Sequence, residues 1–243
     1  MSAVRQSIVI PCYDEAENLP ALIAGFEALR RPDSAWELVL VNNGSRDASA
    51  EVLARELAPA SRAFVRVVTV PANVGYGHGL MAGLRAAHGE LLAWTHADGQ
   101  TPPGDAVRAL EVLAASPQPS RTFVKGRRRN RPARDALFTM GMQAAARVLI
   151  GPGFEDVNGQ PKAFPRALLD RATAAPVDLS LDLYFYWLAL REGYDVLRFD
   201  VRFGDRAHGE SKWAFSWSSK ARNIARTLRF MRALRSGGDY PRA

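Results

Sequence analysis

Four polar or glycine-rich clusters each follow directly on an apolar run: Pro11-Cys12-Tyr13-Asp14-Glu15, Asn42-Asn43-Gly44-Ser45-Arg46-Asp47, Asn73-Val74-Gly75-Tyr76-Gly77 and His96-Ala97-Asp98-Gly99-Gln100. Carboxylates accept hydrogen bonds, and amides both donate and accept, so such clusters can hold a polar ligand. The run Gly75-Tyr76-Gly77-His78-Gly79 has the wrong spacing for a dinucleotide fingerprint, because glycine would be needed where Leu80 stands. A glycine-rich turn entering a helix still suits an anion or a close backbone approach, and a plain tight turn is the equal alternative. Two basic stretches come later: Arg127-Arg128-Arg129-Asn130-Arg131, read as a loop, and Arg206-Ala207-His208-Gly209-Glu210-Ser211-Lys212.

The elements that must position these residues are legible in the spacing of apolar side chains. Gln6 to Ile10, Trp36 to Asn42, Phe64 to Val70 and Leu91 to Thr95 read as strands, with helical spacing over Glu15 to Arg30, Asp47 to Leu57 and His78 to His88. Alternation of strand and helix predicts an α/β fold with a mostly parallel sheet and helices on both faces. In such sheets ligands bind at the carboxyl ends of the strands, where all four clusters stand. Farther on, a helix to about Ala115, a strand at Thr122 to Lys125, helices over Asp135 to Ile150 and Leu181 to Glu192, and a strand at Asp195 to Phe203 are expected.

Composition excludes several classes. The 243 residues are 47% hydrophobic and 23% charged, which describes a globular chain able to bury a sizeable core. The single Cys12 has no intramolecular partner and suits a reducing compartment. No signal peptide is expected, and Pro71, Asn73 and the glycines break the longest uncharged run, Val67 to Leu84, as a membrane span. The net charge of +7 has one source: Lys212 to Arg235 holds seven cations and no acid, leaving the other cations equal in number to the 25 acids. A neutral body with one basic segment points to a local anionic partner rather than to nucleic acid.

Taken in order, Ser7-Ile8-Val9-Ile10-Pro11-Cys12-Tyr13-Asp14-Glu15-Ala16-Glu17-Asn18, Val41 to Asp47, Trp94 to Gln100 and Arg206 to Lys212 resemble glycosyltransferase family 2. Within it they are similar to the branch that includes dolichyl-phosphate mannose synthase and bacterial polyprenyl-phosphate glycosyltransferases. The resemblance implies a GT-A fold, a nucleotide-diphosphate-sugar donor, Mg²⁺ or Mn²⁺ as cofactor, and inversion at the anomeric carbon. It assigns Pro11, Tyr13, Glu15, Asn43, Asp47, Gly75 and Asp98 to the donor, although Glu15 and Asp47 also suit helix N-termini. Asp98 and Gln100 become the metal ligands, since a hard cation prefers oxygen. The family usually has a second Asp where this chain has His96, which reads first as a satisfied polar residue and second as a ligand.

Asp98, Asp156, Arg206 and Lys212 are the catalytic candidates, and Arg128, His208 and Ser211 the acceptor contacts. A guanidinium fork matches phosphate oxygens. Asp156 to Lys162 resembles the family's acceptor-side loop, which implies a general base there for a hydroxyl acceptor and a positioning role for a phosphate acceptor, ionised at neutral pH; a turn residue capping its own backbone is the alternative. Residues 1–211 are expected to form the GT-A domain and 212–243 a basic amphipathic helix and tail, with Trp217, Ala221, Ile224, Leu228 and Met231 as its stripe. That helix reads as an interfacial element on an anionic membrane, or as a packed helix with a solvated basic face. The reading reached is a cytoplasmic, peripherally membrane-bound transferase using polyprenyl phosphate. Two alternatives stay open: a glycan or glycolipid hydroxyl as acceptor, and a noncatalytic nucleotide-sugar or membrane-binding module.

Overall fold

The computed structural model describes residues 5–129, 133–204, 206 and 217–236. Strands β1 (Gln6–Cys12), β2 (Trp36–Asn43), β3 (Val65–Val70), β4 (Leu91–Trp94), β5 (Thr122–Arg129), β6 (Lys162–Pro165) and β7 (Asp195–Arg202) form one sheet in the order β3-β2-β1-β4-β6-β5-β7. Only β6 runs against its neighbours, pairing antiparallel with β4 and β5. The helices are α1 (Leu19–Ala28), α2 (Ser49–Glu56), α3 (Tyr76–Ala86), α4 (Pro103–Ala114), α5 (Ala133–Ile150), α6 (Arg166–Asp170), α7 (Leu181–Arg191) and α8 (Trp217–Ser236).

The central strands are continuous apolar runs because both of their faces are covered. Ile8, Ile10, Leu38 and Leu40 pack with Leu22, Phe26, Val52 and Leu110 of α1, α2 and α4. On the other face Val9, Val39, Val41 and Trp94 join Leu80 and Leu84 of α3, Phe185 of α7, and Phe230 and Met231 of α8. The expected α/β architecture with helices on both faces is therefore present. Among the described residues no helix is long and apolar enough to cross a membrane.

Three local expectations need correction. Arg127, Arg128 and Arg129 are not loop but the end of β5, which runs on because Gly126 to Arg129 pair in register with Phe199 to Arg202. The carboxylate of Asp200 on β7 bridges Arg127 at 2.7 Å and Arg129 at 2.9 Å, offsetting the repulsion of consecutive arginines. Helix α1 starts at Leu19, not Glu15, since the intervening residues form a turn in which Asp14 has φ +52° and the carbonyl of Glu15 accepts from the amides of Asn18 and Leu19. The short β6 was not expected at all.

Candidate active site

The chain leaves β1 towards β2 on one side and β4 towards the opposite edge, so a crevice opens at the carboxyl ends of these two neighbouring strands. The first two loops are laced together above it. The amides of Asp14 and Glu15 donate to the hydroxyls of Ser45 (3.1 Å) and Ser49 (3.0 Å), and the Arg46 amide donates to the Asp14 carboxylate at 2.7 Å. Asp47 accepts from the amide of Ala16 at 3.1 Å and from the amide and hydroxyl of Ser49 at the start of α2. Its helix-start role is thus present, and the same carboxylate fixes the loop that carries Tyr13 and Glu15. Glu15 accepts from the side-chain amide of Asn18 at 2.6 Å, which orients it, and Pro11 stands in β1 opposite Val41, one residue before the strand ends.

Asn43 is buried at the end of β2 and donates to the Gly75 carbonyl at 3.1 Å. That bond joins the second cluster to the third. The glycines of the third cluster are explained by close backbone approach. A Cβ on Gly75, whose φ is +151°, would lie 2.3 Å from the Val177 carbonyl oxygen, and one on Gly77 would lie 2.2 Å from that of Pro176. The turn therefore presses on the segment before α7.

The cluster after β4 brings Asp98, Gln100 and Arg206 together. Asp98 is only 4% exposed, accepts from the Gln100 amide at 3.1 Å, and meets the Arg206 guanidinium at 2.9 Å. Gln100 donates its side-chain amide to the Gly204 carbonyl, so the strand end of β7 is tied to the same loop. Among the described residues no cluster of three or more His, Cys, Asp or Glu side chains is placed to hold a metal ion. One carboxylate with one amide oxygen nevertheless fits a hard divalent cation that takes its remaining ligands from phosphates and water. The His96 ring lies 6.1 Å from that of Tyr76. Burial favours its neutral form, against the pull of Asp98 and Asp182.

Because β6 is antiparallel, the loop before it also reaches this end of the sheet. Asp156, at φ +40°, receives Arg128 side-on: Nε donates at 3.1 Å and Nη2 at 2.5 Å to Oδ1, while the Arg128 amide donates to Oδ2 at 2.8 Å. Burial opposes the charge on Asp156, but the hydrogen bonds and charge of Arg128, with Lys125 behind, hold its pKa down to about 2. The fully buried Lys125 donates to the carbonyls of Asp156 (2.6 Å), Glu155 (3.0 Å) and Gly126 (3.2 Å), and burial brings its pKa down to about 7. Arg128 also lies over the Phe203 ring at 5.3 Å.

A second buried cluster escaped the sequence reading. Asp182 on α7, 3% exposed, pairs with the wholly buried Lys162 of β6 and accepts from the Gln160 amide at 3.2 Å. The same amide reaches the Tyr76 hydroxyl at 2.9 Å, so the third cluster, the loop before β6 and α7 share one network. The available signal was an acid inside the apolar run Leu181-Asp182-Leu183-Tyr184-Phe185-Tyr186, since a buried carboxylate requires a partner. His208, Ser211 and Lys212 lie outside the described residues.

The profile of Glycosyl transferase family 2 matches residues 7–171. The undecaprenyl-phosphate 4-deoxy-4-formamido-L-arabinose transferase of Pectobacterium carotovorum is 30% identical over 86% of this chain and 62% of its own length. The polyprenol monophosphomannose synthase of Mycolicibacterium smegmatis is 29% identical over 87% of this chain and 82% of its own. The chain spans about three fifths of the length of the arabinose transferases it matches. Among solved structures, the glucosyl-3-phosphoglycerate synthase of Mycobacterium tuberculosis, in complex with Mn²⁺, UDP and glucosyl-3-phosphoglycerate, superposes with a TM-score of 0.72 at 20% identity, covering 97% of this chain and 81% of that one. A mannosyltransferase of Pyrobaculum calidifontis with GDP-Man and Mn²⁺ gives 0.68 at 20% identity, covering 100% of this chain and 67% of the other. These likenesses establish the GT-A fold. With the family profile running from β1 through α6 and the strand-end loops in the expected order, the chain belongs to glycosyltransferase family 2.

Proposed function

We propose that the chain transfers a sugar from a nucleotide-diphosphate-sugar to the phosphate of a polyprenyl phosphate, with inversion at the anomeric carbon. The observation that carries the choice of acceptor is the state of Asp156. Both of its oxygens are taken up by Arg128, and its pKa near 2 makes it a poor proton acceptor. A hydroxyl acceptor would call on such a carboxylate as base, whereas a phosphate brings its own ionised oxygen. The similar proteins named above for undecaprenyl phosphate and polyprenol monophosphate support the same acceptor.

The acceptor phosphate oxygen forms the new bond to the anomeric carbon as the bond from that carbon to the donor's β-phosphate oxygen breaks. Negative charge then grows on the departing nucleoside diphosphate, where Arg206 stands ready beside Asp98. Asp98 and Gln100 would hold Mg²⁺ or Mn²⁺, which when bound supplies positive charge to the donor's diphosphate. The loops with Pro11, Tyr13, Glu15, Asn43, Asp47 and Gly75 hold the nucleoside. Asp156 orients Arg128 toward the acceptor, and the resemblance adds Lys212 to the leaving-group side and His208 and Ser211 to the acceptor side. In this reading residues 1–211 are the transferase unit, and within 212–243 the described helix α8, packed on α5, brings its basic face to the inner surface of an anionic membrane.

A thermal-shift panel of UDP, GDP, CDP and dTDP, each with and without Mn²⁺, tests the donor half. One nucleotide should raise the melting temperature in a metal-dependent way, by the equivalent of about 3 kcal/mol at a hundredfold excess over its Kd. Asp98→Asn should remove the metal-dependent part. No shift with any nucleotide in folded protein contradicts the proposal and favours a noncatalytic membrane-binding module.

A further inference from the structure

The outward face of α5 has the composition of an inward one. From residue 140 onward its exposed positions are Met140, Gly141, Ala144, Arg147 and Val148, with Met140 63% and Val148 78% exposed. Positions 140, 144 and 148 fall on one side of a helix. The opposite side carries the buried Ala146 and the half-buried Met142, Ala145 and Leu149, which pack into the core. Packing into the core uses the opposite side and does not explain a second apolar ridge turned to solvent.

The neighbouring helix supplies the charge. Helix α8 packs against α5, and its exposed positions include Arg222, Arg226, Arg229, Arg232 and Arg235. Of these, Arg226 approaches Asp178 at 3.6 Å. No acidic residue occurs in α8 or between residues 140 and 150 of α5. An apolar ridge beside an arginine stripe is complementary to an anionic bilayer, whose phosphates lie above hydrocarbon. A second copy meeting this surface about a twofold axis would bring arginine-rich helices together without acids to pair them.

We propose that α5 and α8 form one bilayer-docking surface, in which Met140 and Val148 of α5 insert between lipids and the α8 arginines hold the headgroups. The functional sense of this surface rests on the polyprenyl-phosphate reading. Helix α5 is strung between Arg128 on β5 and Asp156 in the following loop, so its insertion sets the acceptor-side groups at the depth where a lipid-linked phosphate lies.

Cys12 is wholly buried and its thiol is pushed up by desolvation, so Val148→Cys provides the one exposed thiol among the described residues for an environment-sensitive dye. Vesicles of phosphatidylcholine with phosphatidylglycerol should blue-shift a dye at position 148 and leave one at Glu111→Cys, exposed on α4, unchanged. The variant Met140→Ser/Val148→Ser should bind those vesicles about tenfold more weakly while keeping the wild-type melting temperature. Raising NaCl from about 0.1 M to about 0.5 M should remove the arginine contribution and leave a residual binding that only the wild type retains. An unshifted dye on vesicle-bound protein, or wild-type binding by the double variant, overturns the proposal. So does light scattering that shows a dimer dissociated by the same substitutions, which would assign the face to a second copy. None of these readouts uses a sugar donor, so a failed nucleotide panel would remove the transferase reading and leave the docking surface standing.

Discussion

Lys162 and Asp182 are both shut away from water, and each supplies the other's counter-charge. Lys162→Met should therefore cost about 3–5 kcal/mol in urea unfolding, by leaving a buried carboxylate with the Gln160 amide but no counter-charge, and Lys162→Met/Asp182→Leu should recover most of that loss. Asp156 permits a prediction with a sign. Its folded pKa, about 2, lies below the ordinary carboxylate value, so the stability it adds is complete above about pH 4 and is lost as pH falls toward 2. Asp156→Asn should flatten this acid limb by about 2 kcal/mol between those pH values, read from unfolding curves taken across the range. Equal acid limbs would mean that Arg128 does not hold the carboxylate. Asp98 and Arg206 were singled out because each stands in one of the ordered motifs, and Arg128 and Asp156 because of the resemblance; the structure brings the four together as two ion pairs. The pairing itself was not legible in the sequence, since the Arg128–Asp156 and Arg206–Asp98 pairs join residues far apart in the chain. Asp182 was missed because an apolar helical pattern says nothing of which charge lies across from it.

At the scale of elements, the third loop is built on contact rather than on conformational freedom alone. Gly77→Ala should push the turn off Pro176 and cost about 1–3 kcal/mol in a thermal melt, with weaker binding of whichever nucleotide stabilises the wild type. An unchanged melt would show that the turn and the 176–178 segment are not pressed together. Helix α8 should be equally one-sided. Phe230→Ala should cost about 3–5 kcal/mol, whereas Arg229→Ala should stay within about 0.5 kcal/mol. The central strands β1 and β2 could be read directly because burial on both faces demands nearly unbroken runs of Val, Ile and Leu. Strand β6 could not: Lys162-Ala163-Phe164-Pro165 is short, begins with a charge and ends with proline, and it becomes a strand through pairing with β4 and β5. The end of β5 was hidden for a related reason. Consecutive arginines read as a solvated loop until the Asp200 carboxylate across the β7 pairing is seen.

For the whole molecule, the order of strands creates a crevice between β1 and β4, and the reversed β6 returns the loop that carries Asp156 to the same end. The loops after β1 and β2, the Asp98 cluster and the Arg128–Asp156 pair thus converge without a second domain among the described residues. The localised charge seen in the sequence becomes a surface: Ile224 and Leu228 of the stripe are half-buried and Met231 is buried, while the α8 arginines face outward. The proposed reaction moves a sugar to a lipid-linked phosphate. The direct measurement is mass spectrometry of lipids extracted after the protein is incubated with Mn²⁺, a panel of nucleotide-sugars and vesicles containing undecaprenyl phosphate. A glycosyl-phosphoundecaprenol product formed from one donor, absent with Asp98→Asn and absent when the lipid lacks its phosphate, is the predicted result. Donor consumed with the sugar attached to a glycan hydroxyl, or no lipid product from any donor that binds, would contradict it.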